Sequence, residues 1–163
     1  MERRMLSVLA VVLCGLWLPA LAGDGYVGAS YMNSEFELVQ GSDASSSGWK
    51  IFGGYNFIKY FGVELTYYDL GSFDEGLFEA DVKVFDLAPR GILPLGERFE
   101  LFAKLGYSNV DVEGITGWEL MYGAGAGLKL GKKFGIRIEY EAWDVETSLS
   151  AWSIGGYFRF GGN

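Results

Sequence analysis

The chain has 163 residues, one domain's worth, and half of them are hydrophobic, with 12 Phe, 10 Tyr, 5 Trp and 25 Gly. It has no histidine, which excludes a Ser-His-Asp or Cys-His triad, a His-ligated zinc and a His-held haem. The aromatic content excludes disorder, and a net charge of −8 with no basic stripe excludes nucleic acid as a partner.

The N-terminus has the layout of an export signal. Arg3 and Arg4 precede an apolar run over 5–18, broken only by Ser7 and Gly15, and Ala20-Leu21-Ala22 puts small residues at −3 and −1 of a cleavage site. The apolar run is shorter than the roughly 20 residues a membrane-spanning helix needs. Residues 1–22 are therefore expected to be a cleaved signal peptide and 23–163 the mature domain. Lipidation at the sole cysteine, Cys14, is not expected, because Leu13 is too large for the residue before a lipidated cysteine. The mature chain then has no thiol and no disulfide.

From residue 25 onward one rhythm repeats. Stretches of alternating apolar and polar residues, separated by turn-like segments, cover 25–37, 48–57, 60–72, 79–93, 98–111, 118–130, 134–147 and 150–160. No stretch sustains a 3.6-residue period, so no substantial helix is expected. In the second stretch Trp49, Ile51, Tyr55 and Phe57 oppose Lys50 and Asn56. In the third, Phe61, Val63, Leu65 and Tyr67 oppose Gly62, Glu64, Thr66 and Tyr68. The fourth changes phase between Val82/Val84 and Phe85/Leu87/Leu93 and contains Pro89, which cannot donate to a ladder; a bulge near Val84 or Phe85 would reconcile the two phases. In the fifth, Leu101, Ala103, Leu105 and Tyr107 oppose Glu100, Lys104, Gly106 and Ser108. The sixth sets Trp118, Leu120, Tyr122, Ala124, Ala126 and Leu128 against Glu119, Gly123, Gly125, Gly127 and Lys129. The seventh and eighth alternate Phe134, Ile136, Ile138 and Tyr140 with Arg137, Glu139 and Glu141, and Trp152, Ile154, Phe158 and Phe160 with Ser153, Gly155, Tyr157 and Arg159.

A soluble barrel would turn the apolar face inward; a membrane barrel inverts it. Inversion is favoured by aromatics near the ends of the apolar face (Trp49 and Phe57, Phe61 and Tyr67, Trp118, Phe134 and Tyr140, Trp152 and Phe160). It is favoured again by stretches of 10 or more residues, where soluble strands average about 5–6 and a membrane crossing takes about 9–11. The polar face then becomes the lumen. Its charges nearly balance: Glu64, Asp86, Glu100, Glu119, Glu139 and Glu141 against Lys50, Arg90, Lys104, Lys129, Arg137 and Arg159. Buried charges must pair, so these are expected to form a structural lumen network, not an ion pathway, and eight strands leave no open bore. A catalytic role for pairs such as Glu64 with Arg137 is disfavoured because no cleft is implied.

The connections fall into two sets. Tight turns at 56–60, 94–98 and 131–133 form one rim, expected to be periplasmic along with both termini. Longer links at 38–48, 73–78 and 112–117, with a short one near Ser148, form the other. Lys59, Arg98, Lys132 and Lys133 mark the first rim. Asp43, Asp74, Glu75, Glu79, Asp81, Asp111, Glu113, Asp144 and Glu146 mark the second, where divalent cations could bridge to lipopolysaccharide phosphates; a solvated acidic rim is the plainer reading.

On these residues the chain resembles the OmpA/OmpX-type small outer-membrane β-barrels, eight-stranded and porin-like. The resemblance spans the whole mature chain and rests on Tyr26-Val27-Gly28-Ala29-Ser30, Gly53-Gly54-Tyr55-Asn56, Gly123-Ala124-Gly125-Ala126-Gly127-Leu128 and the ending Gly155-Gly156-Tyr157-Phe158-Arg159-Phe160. It implies an all-β, antiparallel, up-and-down transmembrane barrel with short periplasmic turns and longer outer loops. It also implies an assembly signal at Tyr157, Phe158 and Phe160 for the barrel-assembly machinery, with Gly161, Gly162 and Asn163 departing from a strictly terminal aromatic. Outer-membrane lipid and lipopolysaccharide are the implied surroundings, and the barrel is expected to be monomeric. Fold alone does not fix activity.

Two further motifs have plain readings. The 123–127 glycines lack the spacing and following helix of a nucleotide loop and suit a glycine-lined inner face. The serine run within 41–48 has no histidine base and is expected to be a flexible surface loop. The function expected is a non-enzymatic outer-membrane barrel without a cofactor, contributing to envelope structure or surface contact through its outer loops. The alternatives are a barrel that binds or passes a small hydrophobic ligand and a soluble periplasmic ligand-binding barrel. A lipid-modifying enzyme on this scaffold is disfavoured by the missing histidine.

Overall fold

The computed structural model describes residues 23–37, 43–74, 79–112, 115–144 and 149–161. These form eight strands: β1 (Asp24–Glu37), β2 (Asp43–Ile58), β3 (Phe61–Asp74), β4 (Glu79–Leu95), β5 (Phe99–Val112), β6 (Ile115–Lys129), β7 (Phe134–Asp144) and β8 (Leu149–Phe160). Each pairs antiparallel with its neighbours, and β1 pairs with β8 from Gly25↔Phe160 to Phe36↔Leu149, so the sheet closes and has no edge. The expected signal peptide at 1–22, with Ala20 and Ala22, lies outside the described residues.

Side chains alternate between lumen and exterior along every strand. The exterior carries Leu87, Leu101, Leu105, Phe134, Ile138, Trp152 and Ile154, all exposed, while Asp86, Glu100, Lys104, Arg137 and Glu139, next to several of them in sequence, are buried. A soluble ligand-binding barrel would show the reverse, and that alternative falls here. Exterior aromatics collect at both ends. Trp49 against Tyr67 (ring centroids 5.9 Å) and Tyr140 against Trp152 (4.9 Å) lie toward the outer end. Phe57 against Phe61 (6.2 Å) and Phe134 against Phe158 (5.1 Å) lie toward the end that holds both termini. Two such rings are what the membrane interfaces require.

Three details differ from the sequence reading. First, β2 begins at Asp43, so the serine run is mostly strand: Met32↔Gly48, Asn33↔Ser47, Ser34↔Ser46 and Glu35↔Ser45 are paired. β6 likewise starts at Ile115. The extra length on the outer rim is thus taken up by paired strand, since strands of 14–17 residues such as β1 and β4 outrun a bilayer crossing. Second, β4 keeps one phase from Lys83 to Leu93, with no bulge at Val84 or Phe85. Val84 faces the lumen and Phe85 the exterior, and the one-residue shift lies on β3, between Asp69 and Ser72. Third, β4 and β5 are paired at Leu87↔Tyr107 and again at Arg90↔Lys104 but not between. Pro89 supplies no donor there, and Gly106 lies so close that a Cβ on it would stand 2.8 Å from the Ala88 Cα.

The links at the terminal-bearing rim are tight. Gly96 takes a left-handed conformation (φ 78°) in the β4–β5 turn, where a side chain would be strained. Backbone hydrogen bonds Lys129 N to Arg98 O (2.7 Å) and Arg159 N to Lys133 O (2.7 Å) tie each turn to its neighbour.

Candidate functional site

The lumen is filled in three layers. Nearest the periplasmic mouth, Tyr26, Phe52 and Tyr157 form a small aromatic cluster. Toward the outer end Met32, Tyr68, Val84, Ala88, Met121, Trp143, Leu149 and Ala151 form a larger apolar plug. Between them lies a network of charged side chains, nearly all fully buried.

The network is built from facing strands. Glu64 on β3 is gripped from across the barrel by Arg137 on β7, whose Nη1 lies 2.7 Å from Oε2 and Nη2 2.9 Å from Oε1. The same carboxylate accepts from Lys104 Nζ (3.0 Å) and the Tyr26 hydroxyl (2.7 Å). Glu139 accepts from Lys50 (2.7 Å) and Arg137 (2.6 Å) and pairs with Lys104 (2.6 Å). Glu141 pairs with Lys50 (2.5 Å) and Lys104 (2.7 Å). The Tyr68 hydroxyl sits 2.6 Å from both Asp86 Oδ2 and Glu141 Oε1. Near the mouth, Arg90 pairs with Glu100 (2.8 Å), and half-exposed Lys129 reaches the other oxygen of Glu100 (3.5 Å). Arg159 pairs with Asp24 at the rim. Glu119 lies half-buried on β6, outside the network.

Counting the buried core, five carboxylates (Glu64, Asp86, Glu100, Glu139, Glu141) meet four cations (Lys50, Arg90, Lys104, Arg137), with Lys129 adding a fifth cation at the mouth. Near-neutrality is what burial demands, because each unpaired ion in a low dielectric costs several kcal/mol. Stacking adds to the pairing. The Arg137 guanidinium lies 3.6 Å from the Phe52 ring centroid and that of Arg90 4.0 Å from Phe102, so each planar cation has an aromatic ring beside it as well as a carboxylate.

Glycines on β6 make the room. A Cβ on Gly123 would stand 3.0 Å from Glu141 Cγ, one on Gly127 3.0 Å from Glu100 Cγ, and one on Gly125 2.9 Å from Phe102 Cε2. The 123–127 run is a wall kept bare so that charged and aromatic side chains of β5 and β7 fit against it. Among the described residues no group of three or more acidic side chains is placed to hold a metal ion. A void of only about 10 Å³ remains near the mouth, between Tyr26, Asn56, Arg90, Glu100, Arg137, Tyr157 and Arg159, roughly the space of one water. Tyr157 is buried in the lumen, whereas Phe158 and Phe160 face outward near the periplasmic ring.

The sequence reading missed part of this interior. Phe52, Phe102, Met32, Met121 and Trp143 are lumen residues that it did not place. Parity would have found them: Phe52 is in phase with Lys50, Phe102 with Glu100 and Lys104, and Trp143 with Glu139 and Glu141.

Comparison with known proteins matches this architecture. The model of the outer-membrane protein β-barrel domain family matches residues 7–160. Among solved structures, Ail, the attachment invasion locus protein of Yersinia pestis, superposes with a TM-score of 0.67 at 20% identity, covering 85% of this chain and 99% of that one. Neisserial surface protein A has a TM-score of 0.64 at 13% identity over 83% of this chain and 97% of that one. The N-terminal barrel domain of OprF from Pseudomonas aeruginosa has a TM-score of 0.58 at 14% identity over 85% and 99%. At these identities the likeness is one of fold. No curated protein matches the chain in sequence.

Proposed function

The chain belongs to the outer-membrane protein β-barrel family, and from that premise we propose that it is a sealed, non-enzymatic barrel that strengthens the envelope and offers its outer rim as a contact surface. The observation that carries this reading is the filled lumen. An ion-pair lattice clamped between two apolar layers has neither a bore for solutes nor a cleft for a substrate. A scaffold of this kind is rigid and inert in its middle, so contact with the cell's surroundings falls to its rims.

In this reading residues 1–22 direct export and are removed after Ala22, and the barrel-assembly machinery takes up the last strand through Phe158 and Phe160. The surrounding lipid and lipopolysaccharide hold the protein as a monomer. The Ail structure was solved in complex with a heparin analogue, sucrose octasulfate. This chain has a net charge of −8, and the segments at its outer rim are acidic in sequence, so a polyanion is a poor partner and a cationic one a good partner.

The test is a pair of strains, one lacking the protein and one carrying a version whose outer segments at 38–42 and 145–148 are replaced by short Gly-Ser links. Envelope strengthening predicts detergent sensitivity in the first strain only. Surface contact predicts loss of adhesion in both. A full deletion that changes neither property refutes the proposal.

A further inference from the structure

The lipid-facing side of the barrel is not uniformly convex. From β7 across β8, β1, β2 and β3 to β4 it sinks into a broad groove of about 1160 Å³. Its floor is Val27, Ala29, Gly53 and Gly156, joined by the cross-strand pairs Val27↔Gly53 and Ala29↔Gly156, and Tyr67 and Phe158 stand among its walls.

Nothing inside the barrel asks for these two glycines. A Cβ on Gly53 would come no closer than 3.7 Å to any atom, and one on Gly156 likewise. That is ordinary contact, unlike the crowded lumen glycines. A leucine at either position would face hydrocarbon at no cost, yet the surface is hollow there.

The groove reaches the periplasmic rim at Leu130 and Phe134, and cations flank that end. Lys133 Nζ sits 6.0 Å over the ring of Phe158, a wall of the groove, with Lys132 beside it in the β6–β7 turn. Lys59 projects over Tyr60 in the β2–β3 turn (4.6 Å). The nearby acid Asp24 is already paired with Arg159. The mouth is therefore net positive and the trough above it apolar. A second copy of this chain is a poor occupant, because a two-fold contact would set hollow against hollow.

We propose that this groove holds a phospholipid of the periplasmic leaflet with an anionic headgroup, its acyl chain lying over Gly53 and Gly156 and its phosphate against Lys132 and Lys133. The proposal rests on the membrane placement of the barrel and is independent of what the outer rim contacts. It accounts both for the hollow floor and for lysines at its open end.

The experiment is native mass spectrometry of the full barrel, purified from outer membranes and offered equal amounts of phosphatidylglycerol and phosphatidylethanolamine with the same chains. The wild type is expected to retain phosphatidylglycerol at least about fivefold over phosphatidylethanolamine, the worth of a single lysine at an anionic surface. Lys132→Gln/Lys133→Gln should bind both lipids without preference. Gly156→Leu should lose retained lipid of both kinds, and Gly53→Leu, read in parallel, covers a failure of the first to fold. Equal retention of the two lipids by the wild type, unchanged retention when the floor is filled, or a dimer in place of bound lipid would each overturn the proposal.

Discussion

Replacing Glu64 by glutamine tests the lumen network at its most connected point. The wild-type carboxylate accepts from Arg137 twice (2.7 and 2.9 Å), from Lys104 (3.0 Å) and from Tyr26 (2.7 Å). Glutamine keeps the shape and one acceptor oxygen, but its amide nitrogen must point a donor at a donor whichever way it turns. The network also loses one negative charge at the point where Arg137 and Lys104 converge. Removing one partner of a buried pair costs about 3–5 kcal/mol. With an unfolding slope of roughly 2 kcal/mol per molar urea, that moves the midpoint down by about 2 M. The assay is urea unfolding of the barrel in lipid vesicles, followed by the loss of the compact band on an unboiled gel. Glu100→Gln is the internal control. It sits near the mouth with one short pair and one at 3.5 Å, fewer partners than Glu64 has, so its cost should be the smaller of the two. A third variant, Glu64→Leu/Arg137→Leu, removes both charges, and Glu139 still keeps Lys50 and Lys104. It should lose less stability than Glu64→Gln. A Glu64→Gln cost below about 1 kcal/mol, or a double variant less stable than Glu64→Gln, refutes the reasoning.

Other consequences are simpler to read. Gly125→Val should prevent assembly or leave a barrel that loses its compact gel form at lower temperature, because the added carbons meet Phe102 and the β7 backbone; Gly91→Ala, with nothing within 4 Å, should match wild type. Phe158→Ala/Phe160→Ala should lower the amount of heat-modifiable protein in outer membranes if the last strand is the assembly signal, whereas Phe99→Ala, an exposed aromatic on β5, should not. In planar bilayers the barrel should give no stable conductance steps, and steady single-channel openings would contradict the filled lumen. Immobilised heparin should fail to retain the barrel at physiological salt, and retention there would overturn the charge argument for its outer rim.

The strands and their faces were legible in the sequence because the lipid and the lumen impose opposite chemistries at a period of two. That signal is strong where the inward residue is charged, as at Lys50, Glu64, Arg137 or Glu139. It fails where the inward residue is aromatic. Phe52, Phe102 and Trp143 look like lipid-facing residues by hydropathy and are placed only by counting from a neighbouring charge. Two other gaps have local causes. Residues 44–47 are alanine and serine, poor strand formers, and they become strand because Asn33 to Phe36 on β1 extends past the membrane and offers them a partner. The irregularity assigned to β4 sits on β3 because Val84 is accepted inside the apolar plug beside Tyr68 and Trp143, so β4 has no phase to correct. Which charge meets which could not be settled by parity, since that depends on register across the barrel, and Glu64 with Arg137 joins strands that are not neighbours in the sheet.

The most direct test of the account is which tryptophans see lipid. Trp143 is buried in the lumen plug and Trp152 is 59% exposed on the outer surface. Two mature barrels, each with a single tryptophan and the others changed to phenylalanine, would be folded into vesicles of brominated phospholipid. The account predicts strong quenching of the Trp152 barrel and little quenching of the Trp143 barrel. Quenching of Trp143 with Trp152 spared would mean that the faces are reversed, and the sealed, lipid-clad barrel described here would be wrong.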